Sequence, residues 1–89
     1  MPSKRQLRLS AKAETAADHL LLAISRELSR SAVIEPLERV AVLAALARKL
    51  DQRIDRYARQ AAATGESYGS IGYVLEISRQ AARMRYRPG

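Results

Sequence analysis

Apolar residues recur at steps of three and four over two long stretches of this chain, the spacing of one face of an α-helix. In the first stretch, Ala13, Ala17, Leu20, Leu21, Ile24 and Leu28 predict a helix over residues 11–30, with Ser10 as its N-cap. Residues 1–10 are polar and basic and begin no such stripe, so they read as a flexible arm. The pattern Ser3-Lys4-Arg5-Gln6 also has the form of a capping box, which would open an early helical turn instead. From Ser29 to Glu35 the periodicity breaks, and Pro36 then stands where a second helix would start, since proline suits the first helical position.

That second helix is predicted to run to about Thr64 and to end at Gly65. Its stripe, Val40, Leu43, Ala47, Leu50, Ile54, Tyr57 and Ala61, alternates steps of three and four. This is a heptad period, which keeps a seam facing a partner helix. Leu37, Ala41 and Ala44 widen the apolar face near its start, more than one hairpin contact needs. Two uses of that width stand open, packing within the chain and pairing with a second subunit. In the second reading Val40, Leu43, Ala47, Leu50, Ile54 and Tyr57 form a dimer interface. On this heptad Asp51 and Asp55 face solvent.

The last quarter changes character. Ser67 can cap a short helix reaching Leu75, Glu76-Ile77 interrupts it, and Ser78 can cap a final helix to about Tyr86. Two short helices joined this tightly need a small residue where they cross, and Gly72 occupies that place. Ile71, Leu75, Ile77 and Ala82 are the candidate core between them. The predicted fold is all-α: two longer N-terminal helices followed by a C-terminal helix-turn-helix. Its parts are an arm over 1–10, a helical hairpin for dimerisation over 11–64, and the two-helix unit over 65–89.

Residues Ser70-Ile71-Gly72, Leu75 and Ile77-Ser78-Arg79-Gln80-Ala81-Ala82 carry a family likeness. The segment resembles the helix-turn-helix of bacterial transcription regulators. It is most similar to the form in the C-terminal promoter-reading domain of sigma factors and in small actinobacterial regulators. The likeness covers only about the last quarter of the chain. Such motifs commonly carry Gly in the turn, where the backbone is left-handed; here that position is Glu76, at a cost on the order of 1 kcal/mol.

The resemblance implies that the start of the final helix enters the major groove of double-stranded DNA. Ser78, Arg79, Gln80 and Arg83 then face base edges. Arg can bond guanine through two donors, and Gln can bond adenine through a donor and an acceptor. Ser67, Tyr68, Arg85 and Arg87 flank the motif and are candidates for phosphates, which position a protein without reading sequence.

Charge points the same way. Sixteen Lys and Arg against nine Asp and Glu give a formal net charge of +7, a surplus that favours polyanionic partners. Cysteine is absent, so no disulfide or thiolate metal site is expected. His19, the one histidine, falls opposite the apolar stripe of its helix and reads as solvated, not as a ligand or base. No nucleophile with a base, carboxylate pair on a cleft or phosphate loop is legible. The expectation is therefore no enzyme, no cofactor, no metal and no small-molecule substrate. With apolar runs too short for a membrane span and a basic start not followed by the apolar region of a signal peptide, a cytoplasmic location is expected.

The favoured reading is a sequence-specific DNA-binding regulator acting as a homodimer, because one short recognition helix gives limited specificity. The alternative is a protein-interaction module, its hairpin contacting RNA polymerase, a sigma factor or another regulator.

Overall fold

A computed structural model describes residues 1–88. It is all-helical, with four helices in chain order and no strand among the described residues: α1 (Lys4–Arg30), α2 (Pro36–Ala63), α3 (Tyr68–Leu75) and α4 (Arg79–Tyr86).

The residues expected to form an arm are helical from Lys4 onward. Two local features cause this. The Ser3 hydroxyl accepts from the Gln6 amide at 3.1 Å while Gln6 Oε1 accepts from the Ser3 amide at 3.0 Å, a reciprocal capping box that satisfies two amides at the helix start. Two long-range contacts then hold the first turns. The Arg5 guanidinium pairs with the Glu66 carboxylate, and the Ser10 hydroxyl donates to the Tyr73 hydroxyl at 3.3 Å. Ser10 therefore lies inside α1, where it was expected to cap it. α1 closes at Ser31, whose hydroxyl donates to the Leu28 carbonyl at 2.7 Å.

α2 begins at Pro36 as its pattern predicts. It ends in a Schellman closure: the Glu66 amide reaches back to Ala61 O at 3.0 Å and the Gly65 amide to Ala62 O at 3.2 Å. Gly65, at φ +100°, supplies the positive φ this turn requires. The next closure repeats the arrangement without glycine. The Ile77 amide bonds Gly72 O at 2.9 Å, the Glu76 amide bonds Tyr73 O at 3.3 Å, and Glu76 sits in the left-handed region at φ 58°, ψ 37°.

The core is small and lies at one end of the molecule. Ala58 of α2, Ile71 of α3, and Ala82 and Tyr86 of α4 are buried, with Leu75, Ile77, Tyr68, Ala61 and Ala62 packed around them. α1 packs on α3, and α2 on α3 and α4. The two long helices are joined by residues 31–35 yet scarcely meet each other, so the single chain does not close them into a packed hairpin. No described helix is long and apolar enough to cross a membrane.

Candidate nucleic-acid interface

The final helix is held from three sides. At its start, Ser78 has extended backbone and its hydroxyl accepts from the Ala81 amide at 3.0 Å. On its inner face, Ala82 and Tyr86 stand one turn apart and fill the core. At its end, the Tyr86 hydroxyl donates to Asp55 Oδ1 at 2.9 Å, and the Arg85 guanidinium lies 3.1 Å from the same oxygen. Burial, with the hydrogen bond to Asp55 next, raises the Tyr86 pKa above its ordinary value.

The approach of α3 to α4 depends on Gly72. A Cβ there would stand 2.7 Å from Ile77 O and 3.0 Å from Ser78 O, both backbone atoms of the connection. Gly72 is thus the small residue that the crossing needs. Gly69 has no such neighbour, and nothing in the structure explains it.

Four side chains proposed as base-reading lie at the start of α4. Arg79, Gln80 and Arg83 are exposed, with Arg79 and Arg83 one turn apart. Ser78 is also exposed, but its oxygen serves as the helix cap. Met84 was not singled out from the sequence. It is 58% exposed, one turn after Gln80 on the outward face, and its signal was that four-residue spacing.

The four proposed phosphate contacts are more divided. Arg87 is exposed at the C-cap of α4 and pairs with no acidic side chain among the described residues. Arg85 is committed in part to Asp55. Ser67 accepts from the Ser70 amide at 3.0 Å and donates to the Ser70 hydroxyl at 3.1 Å, so its side chain caps α3. Tyr68 is half-buried against the core. A further cation joins this surface from α2: the Arg59 guanidinium lies 5.7 Å from the Tyr86 ring centre, and that of Arg85 lies 5.5 Å away.

Asp55 corrects the heptad reading. It is half-buried and turned to α4, because α2 crosses α4 there and Tyr86 and Arg85 converge on it. Glu66 likewise faces Arg5, whose hydrogen bond is the main cause holding its carboxyl below the ordinary range. The stripe proposed for pairing is exposed in the single chain. Val40, Leu43, Leu50, Ile54 and Tyr57 all present large apolar surface, and Ala47 lies among them. Ile54 and Tyr57 line an open cleft with Val74 and Leu75 of α3.

No protein-family model, curated protein or solved structure matches the chain.

Proposed function

We propose that this protein is a sequence-specific, double-stranded DNA-binding regulator, and that α3 and α4 act as a helix-turn-helix with α4 as the recognition helix. One observation carries the reading. The inner face of α4 is consumed by Ala82 and Tyr86, while Arg79, Gln80 and Arg83 project from its first turns with no ion pair among the described residues. A helix anchored so firmly on one side, and lined on the other with the residue types that bond guanine and adenine edges, suits the major groove. Met84, beside Gln80, offers an apolar contact of the kind a thymine methyl accepts. Arg87, with part of Arg85 and with Arg59, supplies charge for phosphates. The likeness to the helix-turn-helix of sigma factors and small bacterial regulators supports the same assignment.

The protein acts as a homodimer in this reading, since two half-sites multiply the limited specificity of one eight-residue helix. The salt dependence of binding tests it. Releasing counterions from neutralised phosphates should lower affinity at least about tenfold between roughly 50 and 200 mM salt. A flat response in a fluorescence titration of a labelled duplex contradicts the proposal and returns the chain to the class of protein-interaction modules.

A further inference from the structure

The two long helices leave a cleft between them that nothing in the single chain fills. One part, about 440 Å³, is lined by Leu20, Ala23, Ile24 and Leu28 of α1 and by Leu43 and Leu46 of α2; Glu27 is the one charged residue on its wall. A second part, about 500 Å³, continues along α2 past Leu50, Ile54 and Tyr57 to α3. We infer that a second copy of this chain occupies the cleft, so that the apolar faces of α1 and α2 from two chains close into one shared core.

Surface area argues for an occupant of that size. A folded monomer of 9.9 kDa should expose about 5,200 Å², whereas this chain exposes 7459 Å². The surplus, about 2,300 Å² per chain, falls in the range of obligate homodimers, whose interfaces resemble a domain core cut in half. The radius of gyration, 16.1 Å, exceeds the roughly 12 Å of a compact domain of this length for the same reason.

The character of the face argues for a copy instead of a foreign partner. Large and small residues alternate along α2, Leu43 and Leu46 with Ala44, Ala45 and Ala47, so the stripe can interdigitate with itself about a two-fold axis. The cleft carries one charge of each sign, Glu27 in its first part and Arg53 in its second, so it has no surplus that would select an acidic or basic stranger. Among the described residues the buried hydrophobic side chains are Ala58, Ile71, Ala82 and Tyr86, too little to hold two long helices in place. The missing core must therefore be present wherever the fold is, and a second copy is the occupant always at hand.

This inference deepens the pairing named in the proposed function, and its test contains no DNA, so the two can fail separately. The full chain is studied by analytical ultracentrifugation and by thermal melts over a hundredfold range of concentration. The expected results are a mass twice that of one chain and a midpoint that rises with concentration. Leu43→Asp should abolish the pair. Because that variant can unfold outright, a gentler probe accompanies it. The chain has no cysteine, so Ala23→Cys reports from the cleft and Ala11→Cys from the opposite side of α1. The A23C thiol should label with maleimide at least tenfold more slowly than the A11C thiol at micromolar concentration and catch up on dilution. A mass of one chain, a concentration-independent melt, equal labelling of the two thiols, or a chain unfolded in the absence of a foreign protein would each overturn the inference.

Discussion

Tyr86 and Asp55, 31 positions apart in the sequence, meet through a 2.9 Å hydrogen bond that fastens the end of α4 to the C-terminal third of α2. The ring of Tyr86 is buried and its hydroxyl lies beside the Asp55 carboxylate, which accepts it. With the Ser78 cap and buried Ala82, this anchor sets which side of α4 faces outward. Asp55→Ala should therefore loosen the helix. The carboxylate is partly exposed, so its bond to Tyr86 is discounted to about 1 kcal/mol and its pair with Arg85 to less. Urea denaturation of D55A should show a loss near that size, whereas Tyr86→Ala should cost about 3–5 kcal/mol by emptying the core.

The same contact sets an alkaline limit. The Tyr86 pKa is raised in the folded chain by burial, then by the bond to Asp55. A raised pKa means that the neutral form is favoured on folding. Its contribution is complete below the unfolded value of about 10 and is lost as pH climbs through the folded value. Stability curves of the unmodified chain and of Tyr86→Phe should keep a constant gap from neutral pH to about 10 and converge above it. A gap that widens with alkalinity would contradict the assignment.

Backbone geometry between α3 and α4 gives two substitutions of opposite sign. Gly72→Ala places a Cβ 2.7 Å from Ile77 O, which backbone cannot yield cheaply, and should cost about 1–3 kcal/mol. Glu76→Gly relieves a left-handed glutamate and should stabilise by up to about 1 kcal/mol, less the extra freedom glycine has when unfolded. Thermal melts of both variants read the signs directly.

Much of this architecture was legible because its signals are local. Pro36, Gly65, Ser67 and Ser78 mark helix ends through bonds to their own neighbours, and the structure uses each where its chemistry suggests. Gly72 was legible as a packing glycine because two closely joined helices leave no other place to touch. The start of α1 is legible only in its capping box, the alternative to an arm; residues 1–10 carry no apolar stripe, and the two distant partners that hold them, Glu66 and Tyr73, leave no local signal. Asp55 and Tyr86 were hidden for a related reason. Their roles exist only once α2 crosses α4, and no periodicity along either helix records that crossing. The caps also explain why Ser67 and Ser78, chosen for DNA, have their oxygens engaged at home.

The reading of α4 as a recognition helix is tested most directly by comparing alanine substitutions on a selected duplex and a scrambled one of equal length. Arg79→Ala, Gln80→Ala and Arg83→Ala should each cost about 1–3 kcal/mol on the selected site and relax the choice of base there, with little effect on the scrambled duplex. Arg87→Ala should weaken both duplexes alike and reduce the salt slope by about one. If the first three substitutions lower affinity equally on both duplexes, α4 does not read sequence, and the regulator assignment fails.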